Sequence, residues 1–276
     1  MKKIFWLAGC LAFLMNAQAQ LKTPAPSPAQ TVKQDFGLGS IELNYSRPAV
    51  KGRKVFGDLV PYGSVWRTGA NNATTLQFTD EVSIGGVTLA PGKYGLLCIP
   101  DKDNWTIIVS KQTDVTSPSA YKQEMDLVRV SAPVQKLKEG VENFTISIND
   151  IKPNSCLLSL AWDRTAVSLS ISTDIDSKIM STIAKVMQGE KPPYYNAAMY
   201  YLENGKDLKQ ALAWFDKAVE QSPTAYWVQH QRANCLAKLG KTAEARAAAE
   251  KSKELALAAK NMDYVKLNEK LLSELK

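Results

Sequence analysis

From about residue 31 to residue 173, apolar and polar side chains alternate along short stretches of the chain. This period of two is produced by strands that bury one face and expose the other, as in antiparallel sheets. The alternation is clearest at Ile41, Leu43, Tyr45, Leu76, Phe78, Trp105, Ile107, Val109, Phe144, Ile146, Ile148, Leu158, Leu160, Trp162, Val167, Leu169 and Ile171. Turn-forming residues, among them Gly85-Gly86, Pro91-Gly92 and Asp163-Arg164-Thr165, separate the stretches. We predict an antiparallel β-sandwich or jelly-roll-like domain over residues 31–173.

At Asp174 the period changes to about 3.6 residues, which is typical of amphipathic helices. One apolar stripe begins after Asp207, a helix-capping residue, and ends before Pro223; its members are Leu208, Ala211, Leu212, Phe215, Ala218 and Val219. The pattern recurs 34 residues later, with Ala211 recurring as Ala245, Leu202 as Leu236 and Phe215 as Ala249. That helix–turn–helix period is typical of tetratricopeptide repeats. We predict a helical tetratricopeptide-like module over residues 174–276, and thus an α+β chain of two domains.

The first 19 residues have the regions of a secretory signal peptide. Lys2 and Lys3 precede an apolar run over residues 4–15, and Ala17-Gln18-Ala19 is a small-x-small cleavage site. The run, about twelve residues, is too short to cross a bilayer core. We predict a signal peptide over residues 1–19, cleavage between Ala19 and Gln20, and a periplasmic or extracellular mature protein without a transmembrane span.

Two further features lie near this segment. Leu7-Ala8-Gly9-Cys10 has the form of a lipobox, which leaves open the alternative of a lipoprotein anchored through Cys10. The apolar run continues beyond Cys10, and this favours the signal peptide. Residues 20–30 contain three prolines and no apolar periodicity, so we predict that they form an extended tether.

The charge of the chain argues against one class of partner. There are 34 basic and 27 acidic side chains, a formal net charge of +7, which falls to +5 without Lys2 and Lys3. From residue 20, the charges divide into 16 basic and 14 acidic before Asp174, and 16 and 13 from there on. Nucleic-acid binding needs a concentrated basic surface. We therefore expect no nucleic-acid partner.

Residues 46–111 carry several distinctive motifs. They include Ser46-Arg47-Pro48, Lys51-Gly52-Arg53, Leu59-Val60-Pro61-Tyr62-Gly63, Val65-Trp66-Arg67-Thr68-Gly69-Ala70-Asn71 and Pro91-Gly92-Lys93-Tyr94. On these motifs the chain resembles the domain-of-unknown-function family numbered 2911. The resemblance implies an exported bacterial protein of a kind that often has helical repeats behind its β domain. It implies no catalytic residues, because the family has no established activity.

The sequence offers little catalytic chemistry. Its single histidine, His230, falls in the helical part, so the β domain lacks the imidazole of a Ser-His-Asp or Cys-His device and of a histidine-rich metal site. We predict no catalytic residues, no metal and no cofactor. Cleavage of the leader would leave Cys98, Cys156 and Cys235, which we expect to be buried thiols, although a bridge between Cys98 and Cys156 stays open.

The candidate binding residues lie in one stretch of the β domain. They are Arg47, Lys51, Arg53, Trp66, Arg67, Asn71 and Asn72. Arginine binds carboxylate and phosphate groups through two parallel hydrogen bonds, and tryptophan beside amide side chains suits a sugar ring. These residues predict a site for a small anionic or saccharide ligand. The alternative is structural, with Trp66 in the core and Arg53 and Arg67 paired with acids.

Together these features suggest a non-catalytic binding or adaptor protein of the cell envelope. Its β domain would recognise the ligand, and its helical repeats would contact a protein partner unless they pack within the chain. Two other functions stay open. One is a carboxylate-dependent hydrolase of envelope glycans, which needs two acids in one cleft. The other is a purely structural envelope component.

Overall fold

The computed structural model describes residues 23–275. The chain divides into two compact units, one ending at Ile175 and the other beginning at Asp176. The predicted signal peptide, its cleavage site, the Cys10 lipobox and the start of the tether lie outside the described residues. Within residues 23–275, no helix combines the length and the apolar character needed to cross a bilayer.

The first unit is built from antiparallel strands, as the alternation predicts. The strands are β1 (Ala29–Phe36), β2 (Gly39–Ser46), β3 (Thr75–Phe78), β4 (Val82–Ile84), β5 (Val87–Leu89), β6 (Gly92–Ile99), β7 (Asn104–Ser110), β8 (Asp126–Pro133), β9 (Gln135–Asn149) and β10 (Ser155–Ser172). They form two sheets, ordered β1-β2-β3-β6-β7-β8 and β5-β4-β10-β9. Their neighbouring strands are antiparallel throughout, with Leu43 opposite Leu76 and Leu158 opposite Ile148.

Both sheets contribute to one hydrophobic core. Ile41 and Leu43 of β2, Leu96 of β6, and Leu158 and Leu160 of β10 are fully buried in the same cluster. From Ile41 to Tyr45 in β2 and from Cys156 to Trp162 in β10, every second residue is buried, so one face of the strand packs inward and the other faces outward. In β6, residues 95–98 are all buried, because Leu97 packs in a separate cluster with Ile108 and Val115. The two sheets therefore pack face to face in a sandwich-like arrangement.

The turn predicted at Asp163-Arg164-Thr165 is wrong. Strand β10 runs through these residues, with shifts of its pairing register between Ala161 and Asp163 and between Asp163 and Thr165. Asp163 has a φ of 51°, so its backbone is left-handed. Asp163 pairs with Val141 and Thr165 with Lys136, so the extra residues of this irregularity lie on β9, and β10 continues as one strand.

The second unit contains the predicted helices. Over the described residues they are α1 (Ile175–Val186), α2 (Tyr194–Glu203), α3 (Leu208–Gln221), α4 (Tyr226–Lys238), α5 (Thr242–Ala258) and α6 (Met262–Glu274). As the sequence predicts, Asp207 caps α3, since its side chain accepts hydrogen bonds from the backbone N–H groups of Lys209 and Gln210. The loops from α2 to α6 contain three or four residues, which is typical of antiparallel helical neighbours.

Candidate functional site

All seven candidate residues lie on the connection between β2 and β3, residues 47–74, which backbone hydrogen bonds hold against the sandwich. The Trp66 N–H donates to the Cys98 carbonyl at 2.7 Å, and the Cys98 N–H donates to the Trp66 carbonyl at 2.9 Å. Nearer its start, the Val50 N–H donates to the Glu142 carbonyl at 2.8 Å. The connection is thus tied to β6 of one sheet and to β9 of the other.

An aromatic cluster lies beneath this connection. The Trp66 ring stacks on Trp162, with centroids 5.8 Å apart and an interplanar angle of 17°. It also meets Phe144 edge to face at 4.9 Å, while Phe56 meets Trp105 at the same distance. Such aromatic pairs contribute about 0.5–1.5 kcal/mol each beyond the area they bury. Trp66 therefore has a fixed ring orientation, although it remains partly exposed.

A tight turn follows Trp66 and determines where Arg67 lies. The Trp66 indole N–H donates to the Gly69 carbonyl at 3.0 Å, and the Thr74 hydroxyl donates to the Thr68 carbonyl at 2.7 Å. Gly69 has a φ of 150°, and a Cβ at this position would lie 2.9 Å from the Ser46 carbonyl oxygen. Only glycine fits there without strain. The Val65–Asn71 motif thus encodes a specific backbone shape.

A cavity of about 340 Å³ opens beside this turn. Its lining comes from residues 59–61, 64–67, 69, 70, 115, 117 and 118, with Ser27, Pro48, Arg53 and Trp162. The volume lies within the range of roughly 300–1,000 Å³ that is typical of small-molecule sites. Of the predicted binding residues, Arg53, Trp66 and Arg67 contribute to its wall, and no Asp or Glu of the described chain does so.

The partners of the two lining arginines are backbone carbonyls. Arg67 donates from Nη1 to the Thr116 carbonyl oxygen, and its Nε is buried without a hydrogen-bond partner among residues 23–275. Arg53 is exposed and donates from Nε to Val50 at 3.1 Å and from Nη2 to Ala49 at 2.6 Å. The sequence left open that acids pair with these arginines, but in the structure their hydrogen-bond partners are backbone carbonyls. Carbonyl dipoles orient the guanidinium groups but leave their positive charge uncompensated.

The other four predicted residues lie off the cavity wall. Arg47 joins β2 to β9, because it donates from Nε to the Phe144 carbonyl at 3.0 Å and from Nη2 to the Thr145 hydroxyl at 2.7 Å. Lys51 is in an exposed turn with a φ of 48°, and Asn72 is also exposed. The Asn71 side-chain amide donates to the Ser27 carbonyl at 3.0 Å. Asn71 therefore positions a residue of the cavity wall without lining the cavity itself.

Sequence analysis missed the second side of the cavity. Val115, Ser117 and Pro118 lie in the connection between β7 and β8, and Ser27 precedes β1. No periodicity marks these residues, and their contact with the Trp66 turn depends on pairing between distant strands. The alternation of β10 predicted that Trp162 faces the core. It gave no sign that part of this side chain also lines the cavity.

The three thiols of the described chain are free and buried. Burial raises the pKa of Cys98 to about 12 and that of Cys156 to about 11. A reactive cysteine needs a lowered pKa and access to solvent, so these side chains act as small apolar groups. Over residues 23–275, no cluster of three or more His, Cys, Asp or Glu side chains is arranged to hold a metal ion.

Comparison with known proteins finds no match among curated proteins or among solved structures. One family model does match: it is described as Protein of unknown function (DUF2911), and it covers residues 27–171, just over half of the chain. The matched region begins at Ser27 and ends in β10, so it contains every residue of the cavity wall. The chain therefore belongs to the DUF2911 family.

Proposed function

We propose that this protein is an exported binding protein of the cell envelope, whose β unit holds a small anionic or saccharide ligand in the cavity beside Trp66. One observation carries the proposal: the wall combines the Trp66 ring with two arginines and, within the described chain, contains no acid. Small-molecule sites are typically apolar clefts with a few oriented polar groups. Trp66, Pro48 and Val65 supply the apolar part here, and Arg53 and Arg67 supply the polar part.

This composition favours binding over the hydrolase alternative. Hydrolysis of glycosidic bonds by carboxylates requires two acids on either side of one bond, about 5–10 Å apart. The cavity wall contributes no carboxylate from the described residues, whereas it contributes two cations. A purely structural envelope component would have no use for an open cavity with arginines oriented on its wall.

For the second unit, we propose tetratricopeptide-like repeats that contact a protein partner. The spacing of 34 residues agrees with the burial, since Ala211 and Ala245 are both fully buried, as are Phe215 and Ala249. Equivalent positions in the two helix pairs therefore lie in equivalent surroundings, which supports a repeat. Trp227 on α4 is 41% exposed and offers an aromatic surface to a partner. We also propose that the protein is exported by a signal peptide over residues 1–19 and that its strands are connected as in a jelly roll. These two proposals rest on the sequence pattern.

Blocking the cavity tests the proposed site. Ser64 is exposed and lines the cavity, so Ser64→Trp should fill it at little cost to the fold. Thr88→Trp is the matched control, because Thr88 is exposed on β5 and does not line the cavity. The purified protein is titrated with anionic and neutral saccharides, and binding is measured by calorimetry. Ser64→Trp should abolish this binding, and Thr88→Trp should preserve it. Equal affinity in both variants, or no binding by the unmodified protein, would contradict the proposal.

A further inference from the structure

We infer that the group recognised in this cavity is an oxyanion, a carboxylate or a phosphate carried on a sugar-sized body, and that Arg67 determines this specificity. The inference rests on the proposed function, because it concerns the same cavity. It goes further by choosing the anionic ligand over the neutral saccharide and by assigning that choice to one side chain.

Arg67 has hydrogen-bonding capacity that the described chain does not use. A guanidinium group has five N–H donors, and no acceptor in the described chain meets the one on the buried Nε. A buried donor without a partner is costly, and more so when it belongs to a charged group. The Nε atom itself is enclosed, so a ligand in the cavity meets the terminal nitrogens, of which Nη1 donates to Thr116 and Nη2 has no acceptor among residues 23–275. Carboxylate and phosphate are the best acceptors for this purpose, because their two oxygens match the fork of the guanidinium group.

Both arginines are held in place before any ligand binds. Thr116 holds Arg67 through one terminal nitrogen, and the carbonyls of Ala49 and Val50 hold Arg53 through two nitrogens. Two cations therefore lie on one wall with no acid of residues 23–275 to neutralise them. A neutral sugar would leave this charge uncompensated, whereas an anion offsets it. Electrostatics thus favours the anionic ligand.

The volume of the cavity indicates the size of the ligand. A bare inorganic anion would occupy a small part of the 340 Å³ cavity and would leave the Trp66 ring in contact with water. A sugar-sized body fills the remaining space, and its apolar face can pack against the partly exposed ring. The ligand class is therefore an anionic saccharide or a molecule of the same size and charge.

Matched pairs of probes test the specificity. N-acetylmuramic acid is N-acetylglucosamine with a lactyl ether that carries a carboxylate, and glucose 6-phosphate is glucose with a phosphate. Calorimetric titration of the purified protein should give a dissociation constant at least about tenfold lower for the charged member of one pair, as expected for charge-assisted hydrogen bonds. That preference should weaken at high salt, because screening acts on the charged probe alone. The pair of probes that shows this preference identifies the recognised group as a carboxylate or as a phosphate.

Three variants assign the preference to a residue. Arg67→Gln should remove it while the neutral probe still binds, and Arg67→Lys should restore only part of it, since lysine lacks the two-point geometry. Lys54→Gln is the control, because Lys54 is exposed on the same connection but does not line the cavity, and it should leave the preference unchanged. If Arg67→Gln does not fold, as judged by circular dichroism, folded Arg67→Lys takes its place: a weakened charge preference supports the role of Arg67, and an unchanged preference contradicts it.

The outcomes separate this inference from the proposed function. Equal binding of charged and neutral probes, abolished by Ser64→Trp, would overturn the inference and leave the proposed function standing. A charge preference that survives in folded Arg67→Gln would overturn the role of Arg67. Failure of every probe to bind would overturn both. A preference lost in Arg67→Gln and kept in Lys54→Gln would support the inference.

Discussion

Three arginines of the β2–β3 connection show how the same residue type acquires different roles. Arg47 donates to two groups on β9, Arg53 is exposed on the cavity rim, and Arg67 is half buried against Thr116. The sequence identified all three as candidates because arginine binds anions. It had no means to separate them, since the partners of Arg47 and Arg67 lie about 97 and 49 residues further along the chain.

We predict that Arg47→Ala lowers the free energy of unfolding by about 1.5–3 kcal/mol, the usual contribution of hydrogen bonds to a charged group. The substitution removes two such bonds and leaves the Phe144 carbonyl without its side-chain donor. Lys51→Ala is the control, because Lys51 is exposed and only its backbone N–H bonds to Glu142. Urea unfolding measures both variants. A stability of Arg47→Ala equal to that of Lys51→Ala would show that the link between β2 and β9 contributes nothing.

At the scale of elements, strands were predictable and connections were not. The alternation at Ile41, Leu43 and Tyr45 located β2, because a side chain on the buried face of a strand is apolar and one on the other face is polar. The alternation also placed strand on both sides of Asp163 but could not show that β10 continues through it without a turn. Residues 111–125 gave no pattern at all. They are held by hydrogen bonds such as that from the Lys111 N–H to the Met125 carbonyl, and by Val115, which packs with Leu97 and Ile108. The Val115 contact exists only after β6 and β7 have paired.

The candidate site was predictable to the same limited extent. The motif around Trp66 marked the candidate binding residues and the family resemblance but gave no backbone shape, and the structure shows a turn there with Gly69 in a conformation that favours glycine. Trp66 combines the two roles that the sequence set as alternatives, since it packs in the aromatic cluster and also lines the cavity. Whether a given side chain joins the wall depends on which distant segments meet there.

Val115 provides a prediction at this scale. It is 2% exposed, and Val115→Ala should lower the free energy of unfolding by about 1–2 kcal/mol through lost apolar burial. The loss should also loosen residues 111–121 and move Thr116, the partner of Arg67, so that ligand affinity falls. Hydrogen exchange of these residues and calorimetric titration give the two readouts. Val87→Ala is the control, because Val87 is 41% exposed on β5. Unchanged exchange and affinity in Val115→Ala would separate this connection from the site.

At the scale of the molecule, the two units have separate internal organisation. The core of the β unit is drawn from residues between Phe36 and Ile171, and the cavity wall from residues between Ser27 and Trp162. The helical unit has its own clusters, one around Phe215 and another around Leu236. Each unit thus contains the apolar contacts that a domain needs for folding alone.

This organisation predicts the result of removing residues 176–276. The β unit should remain soluble, unfold in one transition and keep its ligand affinity, because no residue of its core or cavity wall is lost. Chemical unfolding, size-exclusion chromatography and calorimetric titration of the shortened chain measure these three properties. Aggregation would show that the helices cover apolar surface of the β unit, and would favour packing within the chain over an adaptor role. A soluble, binding-competent β unit leaves the helical surface around Trp227 free to serve a different molecule, as an adaptor requires.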